Sequence, residues 1–318
     1  MRRYVLRRLA TTVPLLLVVS VLCFGLLQLA PGGPLAGVDP RARRADHERL
    51  TAALGLDAPA HVQYGRWLWG LVRGDLGHSL VTGEPVGAMI AARLPATLEL
   101  MGVSLALSLV LGLAMGVGAA LRRGSAVDHV LSAVSLVGIS IPVFWLGVLA
   151  ILVFSAELGW LPAGGRSTLG APASALDHLR HLVLPATVLA VVQAPLWSRH
   201  VRSSLLEVLG EDWLRAAEAR GLGTRRVLWR HALRPAIVPV VTLLGLQAPS
   251  LFTGAAITET IFSWPGIGRL FYEGAQRFDY TRLMGILVIG SLLVVLCNLA
   301  ADIACALLDP RIAARERR

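Results

Sequence analysis

The residues whose spacing best suits metal binding are Asp177, His178 and His181. Residues three and four positions apart share one face of a helix, and aspartate and histidine both bind zinc. No third firm ligand accompanies the two histidines, which border an apolar stretch where such residues are usually interfacial. We therefore expect no metal site here.

Motifs for catalysis are missing from this sequence. It contains no HExxH, GxSxG or Cys-x-x-Cys motif and no glycine-rich phosphate loop. All 30 basic residues are arginines, which excludes a Walker A loop and a Schiff-base lysine. Cys23, Cys297 and Cys305 lie in apolar stretches, so we expect no disulfide. We therefore expect that the chain is not an enzyme and that it holds no cofactor.

The composition is that of a membrane protein. The 318 residues are 55% hydrophobic and 16% charged, and the mean hydropathy is +0.65. A net charge of +10 could indicate nucleic-acid binding, but 18 of the 30 arginines, against 7 acidic residues, lie in short segments beside apolar stretches. This is the positive-inside pattern of a bilayer protein, so we expect no nucleic-acid partner.

Six apolar stretches predict membrane-spanning helices. They are residues 9–29, 98–121, 130–154, 182–196, 236–258 and 283–308. Arginines before the first stretch and after the last place both ends of the chain on one side. We predict an all-α membrane protein with six transmembrane helices and cytoplasmic N and C termini. Within the third stretch, Pro142 predicts a kink.

The predicted organisation has two parts. Residues 1–97 would form the first transmembrane helix and a large extracytoplasmic loop, and residues 98–318 a five-helix core. In the loop, residues 64–72 are apolar but too short to span. Their Trp67 and Trp69 indicate either a helix at the membrane interface or a small buried helix of an external subdomain.

A short polar helix interrupts the apolar second half. Glu211 and Asp212 lie where acids favour a helix N-terminus, and Arg220 falls in the last turn. Gly221 can adopt the left-handed conformation that ends a helix. A second helix is predicted to begin at Thr224, so the segment is helix, turn, helix.

One face of this polar helix is predicted to be small and apolar. Trp213, Ala216 and Ala217 would lie together on it, while Arg215 and Glu218 point elsewhere. Small residues allow two surfaces to approach closely, so this face could dock against another protein.

Ala216-Ala217 followed after three residues by Gly221 resembles the EAA loop, the signature of the coupling helix of ABC importer permeases. Arg215 replaces the family's leading Glu, and residues 231–235 depart from its Ile-x-Leu-Pro in a way that resembles the peptide and nickel branch. Further motifs resemble that branch in the same order: Leu54-Gly-Leu-Asp57, Arg73-Gly-Asp-Leu-Gly77, Arg93-Leu-Pro-Ala-Thr-Leu-Glu99 and Phe262-Ser-Trp-Pro-Gly-Ile-Gly268. The resemblance covers nearly the whole chain.

The resemblance implies a type I ABC importer permease fold in a bacterial cytoplasmic membrane. It implies import of di- or oligopeptides, with a nickel or metal-chelate importer as the alternative within the family. The implied partners are a second homologous permease in a heterodimer, two cytoplasmic ABC ATPase subunits that bind ATP and Mg, and an extracytoplasmic substrate-binding protein. The residues coupling to the ATPases would be Glu211, Asp212, Trp213, Ala216, Ala217, Arg220 and Gly221.

Three amide side chains are candidates for lining a translocation path. Gln193 and Gln247 stand beside Pro195 and Pro249, and Asn298 lies in the last apolar stretch. Prolines in membrane helices free backbone carbonyls, which together with amides can hydrate a polar solute. Interhelical hydrogen bonds, worth about 0.6 to 2 kcal/mol each, are an equally good interpretation.

The outer gate is predicted in the apolar, turn-rich segment that follows the fifth stretch. Its candidate residues are Phe262, Trp264, Pro265 and Gly266. The segment is too apolar for free solvent and too rich in turn residues to span the membrane.

Two other classes stay open at this stage, an ion-coupled secondary transporter and a structural membrane subunit. Carriers driven by ions usually have a central charged site in the membrane. Here Glu99 and Asp302 lie toward the ends of their stretches, which favours the importer.

Overall fold

The computed structural model describes residues 2–29, 57–170, 172 and 174–308. Within these ranges the chain is helical and has no β-strand. The helices in chain order are α1 (Arg2–Gln28), α2 (Ala60–Val72), α3 (Val86–Leu121), α4 (Ala126–Ser140), α5 (Val143–Ala150), the π-helix π1 (Ile151–Glu157), α6 (Ala175–Leu209), α7 (Asp212–Ala219), α8 (Thr224–Arg226), the π-helix π2 (Val227–Ala232), α9 (Leu233–Ile261), α10 (Ile267–Gln276) and α11 (Tyr280–Leu308). Residues 30–56 of the predicted outer loop and the C-terminal residues 309–318 lie outside the described residues.

Several helices are long and apolar enough to cross a membrane. Four continuous stretches qualify by length and composition: α3, α6, Val227–Leu244 and Tyr280–Ala301. The bent pair formed by α4 and α5–π1 qualifies as a fifth, and α1 contributes a shorter apolar part, Val13–Leu26. All six predicted stretches fall in helices, and the count of six crossings with cytoplasmic termini stays a prediction.

The third predicted span is broken rather than kinked. Its two halves meet at 99° around Ile141 and Pro142. Ile141 has an extended backbone, with ψ 121°, and Pro142 likewise has ψ 133°. Proline disfavours the helical conformation of the residue before it and cannot donate a backbone hydrogen bond, so one helix ends and a new one starts.

The described chain divides into two compact units. The first comprises Met1–Thr97 and Pro265–Val295, and the second Leu98–Trp264 and Leu296–Arg318. The sequence predicted a division after residue 97 only. In the structure the first unit also includes Pro265–Val295. Contacts of Asp279 connect this segment to residues 79 and 80 of the same unit.

Asp279 fastens the segment after α2 to the start of α11. Its carboxylate accepts hydrogen bonds from Ser79 Oγ at 2.5 Å and from the Leu80 backbone N–H at 3.1 Å. Arg282 Nε lies 3.0 Å from the same carboxylate. Ser79, Asp279 and Arg282 are all buried, so these contacts hold together two segments 200 residues apart in sequence.

Within the first unit, α2 packs on α1. Ser20 Oγ lies 2.8 Å from Tyr64 Oη, and Gln28 donates to Gln63 Oε1 at 2.9 Å. No residue of α2 is buried, and Trp69 is 59% exposed. These facts favour a surface helix over the buried helix that the sequence also allowed.

In the second unit, α3 and α6 approach very closely. A β-carbon at Gly112 would overlap Cβ of Trp197, and one at Gly116 would lie 2.6 Å from the Ser198 carbonyl oxygen. Gly112 and Gly116, four positions apart on α3, form the small face that allows this approach. Trp197 is fully buried there, and its Nε1 donates to Ser108 Oγ at 3.1 Å.

Candidate coupling site

The predicted coupling helix is α7, eight residues and about 12 Å long at 1.5 Å per residue. Asp212 lies in its first turn, and the Glu211 carbonyl accepts from the Leu214 N–H at 3.1 Å. The Ala216 carbonyl accepts both the Arg220 backbone N–H at 3.3 Å and Arg220 Nε at 3.2 Å, near the end of the helix. Gly221 has φ +83°, the left-handed conformation that the sequence predicted.

The inner face of α7 is formed by Leu214 and Ala217. They are 3% and 7% exposed and belong to one apolar cluster with Leu205 of α6 and with Val227 and Leu228 of π2. The cluster also contains Ala120, Ala232 and Ala236. Because these side chains come from α3, α6, π2 and α9, α7 is packed against the ends of several long helices.

The outer face of α7 differs from the predicted one. Ala216 is exposed, and Trp213 is 44% exposed, whereas Ala217 faces inward. Asp212 and Arg215 are exposed beside them and form an ion pair at 3.4 Å. The prediction that Ala217 lies on one side of the helix with Trp213 and Ala216 is wrong. Ala217 follows Leu214 by three positions and so shares its face, which the apolar cluster covers.

An ion pair between a half-buried arginine and a buried carboxylate links α6, which leads into α7, to α4. Arg202 of α6 binds Asp128 of α4 through two hydrogen bonds, 2.7 Å from Nε and 2.8 Å from Nη2. Asp128 is buried and also accepts the Gly124 N–H at 3.0 Å. No local pattern in the sequence pairs Arg202 with Asp128. The one hint of a role for Asp128 is that it is the only acidic residue between Glu99 and Glu157.

The second helix of the coupling segment begins at Thr224, as predicted. It continues through α8 and π2 directly into α9, because Arg226 and Leu233 both keep helical dihedral angles. The predicted coupling segment is thus continuous with a helical stretch, Val227–Leu244, that is long and apolar enough to cross a membrane.

Two of the predicted gate residues are among the most buried in the protein. Phe262 ends α9, is 1% exposed and packs with Ala150, Leu184 and Val188. Its carbonyl accepts the Gly165 N–H at 2.8 Å. Trp264 is fully buried.

An ionic cluster that the sequence did not predict surrounds Trp264. Glu99 binds Arg166 at 2.7 Å and His178 through its other oxygen. The Arg166 guanidinium lies 5.9 Å from the Trp264 ring centroid, and the His178 ring 5.8 Å from it. The cluster joins residues up to 165 positions apart, so no local pattern could have indicated it.

The other two gate candidates belong to the first compact unit. Gly266 is buried and precedes α10, and Pro265 is half-buried. The N–H of the next residue, Ile267, donates to Thr97 Oγ1 at 2.8 Å. The predicted gate segment is therefore divided between the two units after Trp264.

The three path candidates have different surroundings. Gln193 of α6 is 9% exposed, and its Oε1 is buried without a partner among the described residues. Asn298 Oδ1 of α11 is likewise buried and unpartnered there. Gln247 of α9 accepts from Ser250 at 3.1 Å, on its own helix. Among the described residues no hydrogen bond joins the three side chains, so the structure does not bring them into one direct contact.

Asp177, His178 and His181 each bind a different group. Asp177 accepts from Thr168 Oγ1 at 2.6 Å, His178 contacts Glu99, and His181 Nδ1 lies 2.9 Å from the Gly164 carbonyl. Their side chains thereby hold the loop before α6.

Comparison with known proteins covers nearly the whole chain. A family model described as the inner membrane component of binding-protein-dependent transport systems matches residues 108–314, and a model of the N-terminal part of such components matches residues 1–101. The oligopeptide transport system permease protein AppB of Bacillus subtilis is 43% identical over 98% of this chain and 99% of its own length. The corresponding identities are 41% for the di/tripeptide permease DppB of Pseudomonas aeruginosa and 37% for the dipeptide permease DppB of Escherichia coli K12, with the same coverage.

Solved structures show the same fold. Two crystal forms of the inward-facing MetNI methionine ABC transporter match 70% of this chain and 96% of their own, with TM-scores of 0.58 and 0.57 and identities of 22% and 21%. The resemblance seen in the sequence is therefore confirmed: this chain belongs to the family of binding-protein-dependent transport system inner membrane components.

Proposed function

We propose that this chain is the membrane-spanning permease subunit of an ABC importer for di- or oligopeptides. The observation that carries the proposal is its similarity, at 37 to 43% identity over 98% of the chain, to three proteins named as peptide permeases. It is a multi-pass protein of the bacterial cytoplasmic membrane. We propose the type I importer permease fold, with six crossings and both termini in the cytoplasm.

The proposed partners follow from the family. A second homologous permease forms a heterodimer with this chain, two ATPase subunits bind ATP and Mg and hydrolyse ATP in the cytoplasm, and an extracytoplasmic binding protein delivers the peptide. The exposed side of α7, with Trp213, Ala216 and Arg220, is the proposed ATPase contact. The buried side of α7 is proposed to transmit movement rather than to contact the ATPases.

The inner face of α7 transmits movement to the long helices. Leu214 and Ala217 share one packed cluster with Leu205 of α6 and Val227 at the entry to α9. Packed cores resist continuous deformation, so a displacement of α7 moves α6 and α9 with it. These two helices carry Gln193 and Gln247, the proposed path residues, while Asn298 lies on α11.

The outer gate is proposed to involve Phe262, Trp264, Pro265 and Gly266. Burial of Phe262 and Trp264 supports a closed position in this structure. The contacts of Glu99, Arg166 and His178 would hold Trp264 there until α6 moves.

Transport by the reconstituted complex tests the function. The chain, a partner permease, two ATPases and a binding protein are placed in proteoliposomes, and uptake of radiolabelled di- and oligopeptides is measured. We expect uptake that requires both ATP and the binding protein. Uptake driven by a proton or sodium gradient without ATP would show a secondary transporter instead.

Thiol labelling tests the topology. In a chain without its native cysteines, a single cysteine at Gly124 should be shielded from an impermeant thiol reagent in intact cells. A single cysteine at Leu169, which is 98% exposed, should react. Reaction at residue 124 from outside would contradict the six-span arrangement.

A further inference from the structure

Three arginines and a tryptophan form an exposed surface in α8 and π2, the two short helices that lead into α9. Arg225, Arg226 and Arg230 are exposed, and Trp229 is 57% exposed. We call these four residues the arginine–tryptophan surface. In the part of the chain that the structure describes, no acidic side chain forms an ion pair with the three arginines.

Other arginines of the same region have partners. Arg202 is bound to Asp128, Arg215 to Asp212, and Arg220 to the Ala216 carbonyl. Among the described residues, the arginine–tryptophan surface is therefore a local excess of positive charge.

Helix geometry places the four side chains together. Arg225 and Arg226 precede Trp229 and Arg230 by four positions, which is about one turn, so the two pairs lie one above the other. Val227 and Leu228, between the pairs, are buried in the opposite direction. The surface is thus one face of a short helix whose other face is in the protein core.

The position along the chain places this surface at a membrane boundary. The apolar stretch Val227–Leu244 begins within the surface itself. Tryptophan is enriched at the level of lipid headgroups, and arginine extends its charged end toward them while its stem stays in apolar surroundings. An exposed tryptophan among unpaired arginines fits this environment better than open water.

We propose that the arginine–tryptophan surface binds the headgroups of anionic phospholipids in the cytoplasmic leaflet, and that this binding holds α7 in position for coupling. The proposal rests on the proposed function, which places this end of α9 in the cytoplasm. A guanidinium group donates two parallel hydrogen bonds to a phosphate, so three arginines suit a cluster of anionic headgroups.

The link to α7 follows from the two faces of π2. Trp229 and Arg230 are exposed on one side, while Val227 and Leu228 pack on the other with Leu214 and Ala217 of α7. A headgroup that immobilises π2 therefore immobilises the surface on which α7 rests. Without anionic lipid, α7 would still pack against Val227 and Leu228, but π2 itself would move more freely.

A lipid titration of the assembled complex tests the proposal. The complex is reconstituted in phosphatidylcholine nanodiscs with an increasing fraction of phosphatidylglycerol. The readouts are ATPase activity stimulated by the binding protein and, by native mass spectrometry, the phosphatidylglycerol retained. Each arginine near an anionic surface contributes about fivefold to binding, so the triple variant Arg225→Gln, Arg226→Gln, Arg230→Gln should bind about 100-fold more weakly. We expect it to lose both retention and activation across the whole titration.

Two further variants make the test specific. Arg122→Gln, Arg123→Gln, Arg199→Gln removes the same charge from exposed positions elsewhere on the predicted cytoplasmic side and should keep the wild-type lipid response. Replacing Arg225, Arg226 and Arg230 by lysine keeps the charge and should retain most of the activation. Equal loss in the control variant would overturn the proposal, since it would show an effect of overall charge.

Partner binding separates the remaining outcomes. If the glutamine variant no longer copurifies with the ATPases, the surface docks protein and the lipid proposal is wrong. If the wild type gives the same activity in pure phosphatidylcholine as with phosphatidylglycerol, the lipid proposal is also wrong, while the importer function stands. If the wild type takes up no peptide in any lipid, the proposed function itself fails.

Discussion

Substituting the adjacent residues Ala216 and Ala217 tests the two-sided assignment of α7. Ala217→Trp places a large side chain in the cluster behind the helix, where Ala217 is 7% exposed. Ala216→Trp places the same side chain on the exposed side. The two variants have identical composition, so any difference between them comes from the direction that each residue faces.

The magnitude can be worked from the packing. Burial of a leucine side chain contributes about 1.5 to 3 kcal/mol, and Leu214, at 3% exposure, is the larger of the two α7 side chains in the cluster. Overpacking a filled site costs about 1 to 3 kcal/mol. The two quantities are similar, and therefore Ala217→Trp should leave α7 detached in a large fraction of molecules. Ala216→Trp should leave it attached.

Proteolysis and transport measure the two effects separately. Trypsin can cleave after Arg215 and Arg220, and in nanodiscs Ala217→Trp should be cut there at least about tenfold faster, which corresponds to about 1.4 kcal/mol. Ala216→Trp should keep wild-type protection but bind the ATPases weakly and lose uptake. Unchanged protection in Ala217→Trp would refute the inner-face assignment. Normal uptake by Ala216→Trp would show that the ATPases dock elsewhere.

Three further predictions concern the second compact unit. Arg202→Gln leaves Asp128 without its cation, which should lower the thermal unfolding temperature. Adding Asp128→Asn should restore part of that temperature, and no recovery would mean that the pair is not the cause. Gly112→Ala should destabilise the protein by about 1 to 3 kcal/mol, because the new methyl group overlaps α6. The control Gly102→Ala, with no atom within 4 Å of the new methyl, should be neutral or stabilising. Equal stability of the two variants would contradict the close packing of α3 and α6. Trp264→Phe should raise ATPase activity in the absence of binding protein, and an unchanged rate would assign the segment to packing alone.

Local signals in the sequence were sufficient for the helices and their ends. The apolar stretches predict helices in lipid, where backbone groups must be satisfied internally, and they are helical in the structure apart from the break at Ile141 and Pro142. The bounds of α7 follow from acids at one end and Gly221 at the other, because capping depends on a few adjacent residues.

Contacts between distant residues could not be read from such signals. The pair of Asp128 with Arg202 joins positions 74 residues apart, and that of Ser79 with Asp279 joins positions 200 apart. From the sequence alone, any of several arginines could form an ion pair with Asp128. The choice depends on which helices lie side by side, and this is a property of the whole fold.

Residue types and their spacing are therefore enough to assign the class of protein, its helices and the bounds of the α7 segment. Tertiary structure alone decided which side of that segment is available to a partner, since Ala216 and Ala217 are the same residue type and differ only in what packs against them. It also decided that Phe262 and Trp264 are buried, since aromatic residues in a turn are covered only if other segments reach them. The physical reason is that backbone preference acts over a few neighbouring residues, whereas burial depends on segments that are distant in sequence and adjacent in space.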